Sequence, residues 1–369
     1  MTGLTDGLRN PCSKTEHTRC VKRRNRIRDK NREYVIVSDA GLIAESSENM
    51  SVSLEDLVPR GAPVLWVAST GGHLEQLVRL SSRVEESSAS AWVTFDTQQS
   101  SSLLAGRNRF TVGYVRPRDL YGAIAAAVKV YPLLRTRRFQ FCISTGSALA
   151  TFILPLAGFL GLRAIYIESV SRTAGPSLTG KLLAAIPRVD TFTQHRNWSS
   201  ERWPHISSVL DSWVAKERDI EKKPLKIFVT LGTIKPYRFD RAVNAIIEIL
   251  RDDDEVVWQL GETTRDDVPG TAFRELTTEQ MAHHINTADV VVTHAGVGSI
   301  LNILDEGRLP VIVVREKDYN EHVDNHQRQI AETMSRNQLA RKLSLDCPDR
   351  DTLLLANSWK VERGSRSEY

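Results

Sequence analysis

Three glycine-rich turns each follow a strand-like apolar run and carry the residues best suited to chemistry. They are Gly71-Gly72-His73, Gly232-Thr233 and Gly296-Val297-Gly298-Ser299. Glycine lets a backbone approach a ligand closely, and a helix that starts after such a turn offers free N–H groups and the positive end of its dipole. The third turn adds the hydroxyl of Ser299 at the expected cap position. We therefore expect a diphosphate to bind there, with an ordinary strand–helix connection as the alternative.

His73 is the titratable side chain of the first turn. An imidazole at this position suits a general base or a donor to a developing negative charge, and a hydrogen bond at the helix start is the structural alternative. No Gly-x-Gly-x-x-Gly follows the first strand-like run, and no Walker lysine follows any of these turns. Both absences disfavour a dehydrogenase or an ATPase.

The segments around these turns indicate strands that alternate with helices in two series. The strand-like runs are 63–68, 91–95, 110–115, 139–144, 164–168 and 191–193, then 226–231, 256–260, 290–293 and 311–314. Such alternation predicts parallel βα units and two doubly wound α/β domains. The predicted organisation is a tail at 1–60, domains at 61–206 and 225–345 joined by a polar linker at 207–224, and a C-terminal helix or tail at 346–369.

The composition fits this organisation. The 369 residues are 41% hydrophobic and 25% charged, which is ordinary for globular domains and excludes a wholly disordered chain. Ten basic and four acidic residues within 1–33 give that segment a charge of +6, so the rest of the chain carries about −2 of the total of +4. A nucleic-acid-binding body is therefore disfavoured, and the tail is a solvated extension or a contact to anionic lipid. Four scattered cysteines fit a reducing, cytoplasmic setting.

One apolar stretch, 139–162, contains 24 uncharged residues and is long enough to span a bilayer. A polar Ser-Thr-Gly-Ser group at 144–147 divides it into a short strand and a helix over 149–160. We predict a buried strand–turn–helix unit, with a helix dipping into the membrane interface as the alternative.

Taken together, the motifs resemble the two subunits of bipartite, membrane-surface glycosyltransferases. Residues 71–74, 143–146, 166–169 and 177–180 resemble the acceptor subunit of PssD-type exopolysaccharide enzymes and of the eukaryotic dolichol-diphosphate GlcNAc transferase. Residues 229–233, 294–299 and 321–327 resemble the PssE-type donor subunit. Both halves are distantly similar to MurG. The resemblance covers about 62–345, and the chain resembles a natural fusion of the two subunits.

This resemblance implies a GT-B fold, in which two Rossmann-like domains face each other across a cleft. The C-terminal domain is expected to bind a UDP-sugar, and the N-terminal domain a polyprenyl-diphosphate-linked acceptor at the cytoplasmic face of the plasma membrane. The implied reaction inverts the anomeric centre and uses neither a metal ion nor a cofactor.

The resemblance also assigns site residues. His73 is the expected base. Glu168 is the alternative base, because burial at a strand end raises a carboxyl pKa. If Glu168 has a structural role instead, we expect it to form an ion pair with Arg172. The expected donor-binding residues are Gly232, Thr233, His294, Gly296, Gly298, Ser299, Asn302 and Gln327. The expected acceptor-side residues are Gly71, Gly72, Thr145, Gly146 and Arg172.

Two features depart from the family pattern. Asn302 stands where relatives carry a ribose-binding Glu, and an amide lacks the charge of that carboxylate. We expect no N-terminal membrane anchor like that of the acceptor subunit, and therefore expect membrane contact from the apolar helix around 152–160, Arg163 and the basic tail.

The sequence thus favours an inverting hexosyltransferase that acts in exopolysaccharide or cell-surface glycan assembly. Asn302 keeps open a catalytically weak nucleotide- or lipid-binding scaffold. The two-domain architecture keeps open a sugar-nucleotide 2-epimerase, although the sequence offers few of the cleft carboxylates that such enzymes use.

Overall fold

A computed structural model describes residues 52–85, 87–116, 119–136, 138–220, 224–322 and 326–364. Most of the predicted tail lies outside them. The strands are β1 (Val64–Val67), β2 (Ala91–Phe95), β3 (Arg109–Val112), β4 (Phe141–Ser144), β5 (Arg163–Ile167), β6 (Val189–Phe192), β7 (Trp213–Glu217), β8 (Lys226–Thr230), β9 (Glu255–Gln259), β10 (Thr271–Phe273), β11 (Val290–His294), β12 (Val311–Val313), β13 (Arg341–Lys342) and β14 (Trp359–Arg363). The α-helices are α1 (Leu54–Leu57), α2 (Gly72–Ser81), α3 (Gln98–Leu103), α4 (Leu120–Arg135), α5 (Ala148–Phe159), α6 (Leu178–Ala184), α7 (Asp240–Ile249), α8 (Thr278–Thr287), α9 (Val297–Asp305), α10 (His326–Arg336) and α11 (Arg350–Asn357).

Two six-stranded sheets share one topology. Their strand orders are β3-β2-β1-β4-β5-β6 and β10-β9-β8-β11-β12-β13. All neighbouring strands in both sheets are parallel. In each half the chain therefore starts at the centre, winds to one edge and then crosses to the other, which is the doubly wound Rossmann arrangement. The predicted α/β class is confirmed.

The central strands were predictable because both of their faces are covered. All four residues of β1, Val-Leu-Trp-Val, are buried, and so are all four of β4. Continuous apolar runs, without alternation, are typical of parallel strands between two helical layers. The turns at the carboxyl ends of these strands are consequently held on a rigid support.

The apolar stretch 139–162 forms β4 and α5, as the sequence predicted. Leu149, Ile153 and Leu154 of α5 are fully buried against the first sheet. Within the described residues, no helix is both long and apolar enough to cross a membrane.

Helix α1 lies inside the segment that we predicted as tail, and this corrects the boundary at residue 60. Leu54 and Leu57 are buried in the core, and Val52 bridges to Ile206. Ser53 and Asp56 cap the helix reciprocally. A helix of four residues is too short to show a helical period, so hydrophobic periodicity does not predict it.

Strands β7 and β14 form a two-stranded antiparallel ribbon, with Ala215 opposite Val361. β7 lies within the expected linker 207–224, and β14 follows the C-terminal helix α11. The ribbon was not predicted because both strands carry exposed charged residues. It brings the C-terminal segment back to the junction between the two halves.

Helices α2 and α9 pack against each other at that junction. Leu74, Leu77 and Leu80 of α2 share a buried cluster with Ile300 and Leu304 of α9. Spacings of three and four residues place these side chains on one face of each helix. The two halves are therefore joined by continuous apolar contact as well as by the chain.

We expect Leu54→Ala to lower the free energy of unfolding by about 2–5 kcal/mol, the range for truncating a buried leucine. Leu54 is 1% exposed. Urea denaturation followed by tryptophan fluorescence measures the change, because Trp213 lies in the same cluster. Arg60→Ala, at a side chain that is 86% exposed, is the control. Equal unfolding midpoints for the two variants would show that α1 does not contribute to the core.

Candidate active site

His73 is fixed by two hydrogen bonds at the start of α2. Its Nδ1 lies 2.9 Å from the carbonyl oxygen of Thr145, and the Thr145 hydroxyl donates to the His73 carbonyl at 2.8 Å. A carbonyl oxygen only accepts, so Nδ1 carries the proton in the neutral ring. Nε2 is then left with its lone pair, which is the form that a general base requires.

The environment also keeps this imidazole neutral. Burial lowers the pKa of His73 from 6.5 to about 4, and the positive charge of Arg172 adds to the effect, against the opposing influence of the Thr145 hydrogen bond. A neutral ring at physiological pH accepts a proton at Nε2. Of the two roles expected from the sequence, the geometry favours the base.

Gly146 leaves the space that this ring occupies. A β-carbon at Gly146 would lie 2.8 Å from Cε1 of His73, and the residue has φ of +125°. The next residue, Ser147, also has a positive φ of +82° and caps α5. Glycine adopts a positive φ freely, whereas the positive φ of Ser147 is costly for an L-residue and occurs where the surrounding structure fixes it. Thr145 and Gly146 therefore position His73.

Glu168, the alternative base, is held in the interior. It is 1% exposed and accepts hydrogen bonds from the Tyr166 hydroxyl, the Ser169 amide, and both the amide and hydroxyl of Ser177. Burial raises its pKa. A β-carbon at Gly180 would collide with its Oε2. These contacts anchor the start of α6, so His73 is better placed than Glu168 to meet an acceptor.

His294 fills the space between two of the expected phosphate-binding turns. A β-carbon at Gly232 would lie 2.6 Å from Cε1 of His294, and one at Gly296 would collide with Nε2. Burial and the charge of Arg315 lower the pKa of His294 to about 4. The close approach of this imidazole is therefore by itself enough to require glycine at Gly232 and Gly296, and their contact with phosphate stays a prediction. Thr233, beside them, is exposed.

The starts of α2 and α9 meet at Gly72 and Gly298. A β-carbon at Gly72 would lie 3.3 Å from Cβ of Val297, and one at Gly298 would lie 3.3 Å from Cγ of Glu75. Gly296 is the N-cap of α9, so Ser299 lies in the first turn and not at the cap position expected from the sequence. Small residues here bring the free N–H groups of α9 next to the turn that carries the candidate base.

Sequence reasoning missed Arg79, which bridges the two halves. Its guanidinium donates to Asp305 Oδ2 at 2.6 and 2.9 Å, to Glu75 Oε2 at 2.6 Å and to Asn302 Oδ1 at 2.7 Å. The Glu75–Arg79 spacing of four residues is visible in the sequence, but the contacts across the junction are not. The side-chain oxygen of Asn302, the residue expected at the ribose, is therefore engaged by the first domain.

Arg315, also missed, organises the turns of the second domain. Its side chain is fully buried and donates to the backbone carbonyls of Leu231 at 2.9 Å and Glu321 at 3.0 Å. Burial lowers its pKa to about 10, which leaves it charged at neutral pH. Its amide donates to Oε1 of Gln327 at 3.2 Å, and this fixes the residue expected to bind the sugar. The preceding motif residues 323–325 lie outside the described part of the chain.

The structure assembles ten of the fifteen expected residues into two groups, and Glu168, Arg172, Thr233, Asn302 and Gln327 lie outside them. The first group surrounds His73 and contains Gly71, Gly72, Thr145 and Gly146. The second group lies at the turns of the second domain: Gly232 and Gly296 lie against the ring of His294, and Gly298 and Ser299 follow in the first turn of α9. Gly72 and Gly298 connect the two groups. Half-buried Arg172 lies near enough to His73 to influence its pKa.

Two doubly wound parallel sheets joined at their helix starts define the GT-B class of fold, which confirms the expected fold. The chain is similar to MurG of Acinetobacter baumannii, with a TM-score of 0.52 and 14% identity over 79% of this chain and 88% of that one. It is similar to the glycosyltransferase SnogD from Streptomyces nogalater, with a TM-score of 0.50 and 14% identity over 81% and 94% of the two chains. At these identities the likeness establishes the fold.

Sequence similarity is confined to shorter segments. Residues 226–342 match the glycosyltransferase family 28 C-terminal domain. A segment of 59 residues is 42% identical to the UDP-N-acetylglucosamine transferase subunit ALG13 of Yarrowia lipolytica. That segment is 16% of this chain and spans 28% of the length of the curated relative.

Acid is expected to destabilise the protein through His73 and His294. The pKa of each imidazole is about 4 in the folded state against an ordinary 6.5. The contribution of the neutral rings to the free energy of unfolding is therefore complete above pH 6.5 and is lost as the pH falls toward 4. At pH 5 each imidazole should lower the free energy of unfolding by about 2 kcal/mol relative to pH 7.5. Urea unfolding of the wild type and of His73→Gln at the two pH values measures this. The variant should lose less stability on acidification, whereas the exposed His283→Gln serves as the matched control. An identical pH dependence in His73→Gln and the wild type would contradict the assignment.

Proposed function

We propose that the protein is an inverting hexosyltransferase that moves a sugar from a UDP-sugar to a polyprenyl-diphosphate-linked saccharide. The proposed setting is exopolysaccharide or cell-surface glycan assembly at the inner face of the plasma membrane. The family 28 match of residues 226–342 and the UDP-N-acetylglucosamine transferase relative support the nucleotide-sugar donor. The two sheets, each with its own motif set, support descent from fused PssD-type and PssE-type subunits.

The observation that carries this proposal is the position of His73 beside the start of α9. In the proposed reaction, Nε2 of His73 takes the proton from the acceptor hydroxyl, and the freed oxygen attacks the anomeric carbon. The bond from that carbon to the UDP oxygen breaks on the opposite side, so the configuration inverts. Fixed N–H dipoles at the start of α9 stabilise the negative charge that develops on the diphosphate, and the step requires no metal ion.

The remaining expected residues take places around the donor in this proposal. Gly298 and Ser299 offer first-turn N–H groups to the diphosphate, and Thr233 lies at the exposed edge of the same turn cluster. Gln327, fixed through the Arg315 amide, is the proposed contact to the sugar hydroxyls. Asn302 is the proposed contact to the ribose, held by Arg79.

We expect His73→Ala to lower turnover by about 10²–10⁴-fold, the usual contribution of a general base. UDP affinity should stay unchanged, because the diphosphate contacts lie on the other domain. Turnover with a lipid-linked acceptor and calorimetric titration with UDP measure the two effects, and wild-type binding of UDP over UMP is the positive control. Unchanged turnover would remove His73 from the reaction. Wild-type protein that binds neither nucleotide would favour the scaffold, and a new sugar formed from UDP-GlcNAc alone would favour the epimerase.

Membrane contact is better supported on α4 than on the segment expected from the sequence. Helix α5 has six buried residues and, at its end, the exposed Phe159, and Arg163 pairs with Asp190 at 3.0 Å. On α4, by contrast, Tyr121, Ile124 and Val128 lie one helical turn apart and are 88%, 45% and 67% exposed. We propose that this face enters the interface of an anionic membrane.

Basic side chains around this face fit such a surface. Arg135 lies over the ring of Tyr131 on α4, at 5.7 Å, and Arg188 lies over the exposed ring of Phe159, at 5.4 Å. Long basic side chains can cover apolar groups with their stems while the charged ends reach lipid phosphates. Leu178 and Leu182 of α6 are also exposed, at 66% and 49%.

We expect Val128→Glu to weaken binding to vesicles that contain anionic phospholipid by at least about tenfold. Burial of a valine side chain contributes about 1.5 kcal/mol, and a loss of about 1.4 kcal/mol lowers an affinity tenfold. Sedimentation with the vesicles measures the bound fraction. Leu355→Glu, at a leucine of α11 that is 50% exposed, is the matched control and should bind normally. Equal loss in both variants, or none in either, would contradict a membrane face on α4.

A further inference from the structure

A cavity of about 920 Å³ lies beside the connection between the two sheets, and we call it the linker cavity. Its walls come from residues 194–197 and 205–212 of the connection between the sheets, from the end of α10 and from the end of β14. Its described lining includes none of the expected catalytic or donor-binding side chains. The volume lies within the range of small-molecule sites, so the cavity has room for a ligand distinct from the donor.

Positive charge dominates the linker cavity. Four guanidinium groups line it, those of Arg83, Arg196, Arg336 and Arg363, against two carboxylates. One carboxylate, Asp211, already accepts a hydrogen bond from the Ser208 amide at 2.7 Å. Burial lowers the pKa of the lining residues His195 and His205, with the charges of Arg336 and Arg196 adding to the effect, and this favours the uncharged imidazoles.

Arg83 is held in place by hydrogen bonds to uncharged groups, while burial lowers its pKa against the opposing charges of Glu55 and Asp211. Its Nη2 donates to the Ser208 carbonyl and to the Ser212 hydroxyl, both at 2.7 Å. Arg336 is exposed, and in the part of the chain that the structure describes it forms no ion pair. Arg363 shares Asp305 with Arg79, so one carboxylate serves two guanidinium groups. The cavity therefore holds preorganised positive charge that an anion would neutralise.

The rest of the wall is rich in hydroxyl and amide groups. They include Thr173, Asn197, Thr333 and Asn337, whereas Leu210 is the aliphatic member of the described lining. Such a mixture suits a ligand that presents many hydroxyls and little apolar surface. Guanidinium groups recognise carboxylates and phosphates through paired N–H donors.

We propose that the linker cavity binds an anionic saccharide, that is, a sugar bearing a carboxylate or a phosphate group, with Arg83 and Arg336 supplying the positive charge. The site is separate from the UDP-sugar site, and the proposal does not depend on the transfer reaction. It adds a second carbohydrate-binding position to the junction between the two halves.

Calorimetric titration of the full chain with glucuronic acid, glucose 6-phosphate, glucose and inorganic phosphate tests this proposal. We expect saturable binding of at least one anionic sugar and much weaker binding of glucose. Which of the two anionic sugars binds identifies the anionic group. Saturating UDP should leave this binding unchanged, because UDP occupies the other site.

Arg336→Glu should lower the affinity for the anionic sugar by about tenfold or more, because the positive charge of the arginine is replaced by a negative one. Its side chain is exposed, so the fold should tolerate the change. Arg138→Glu, at an exposed arginine outside the cavity, is the matched control. Absence of saturable binding, equal effects of the two variants, displacement by UDP, or inorganic phosphate binding as tightly as the sugars would each overturn the proposal.

Discussion

The contact between the starts of α2 and α9 is the constraint on which the rest of the site depends. Two glycines, Gly72 and Gly298, allow the helix ends to approach, and any side chain there would press on Val297 or Glu75. Two turns further along α2, Arg79 connects this helix to Asn302 and Asp305. A small-residue contact thus sets the distance between the halves, and a charged network sets their orientation.

Buried imidazoles explain glycines that sequence reasoning assigns to ligands. His73 lies against Gly146, and His294 lies between Gly232 and Gly296. In both places the ring has its pKa lowered to about 4 by burial. A glycine-rich turn beside a histidine therefore has two physical explanations, close approach of a ligand and close approach of the ring, and the spacing of residues alone does not separate them.

Much of the fold was predictable because its central strands are continuous apolar runs that end at glycine turns. Strands β10 and β13 were missed because they are two or three residues long and largely exposed, and α1 because four residues show no period. The residues of the turns were predictable as a set, from motifs. The roles of Arg79 and Arg315 were not predictable. Arg79 binds partners that lie 223 and 226 residues away in the chain, and Arg315 binds buried backbone carbonyls. Such pairings leave no local pattern.

The β7–β14 ribbon has a consequence for how such a chain can be divided. Strand β7 belongs to the connection that leaves the first sheet, whereas β14 is contributed from beyond the second. The ribbon and the contact between the leucines of α2 and α9 form a non-covalent interface between the two halves. This interface does not depend on the peptide bonds between residues 218 and 225. A break in that short stretch would leave two polypeptides with a ready-made heterodimer interface. The same interface would hold the two halves together whether they are encoded as one polypeptide or as two.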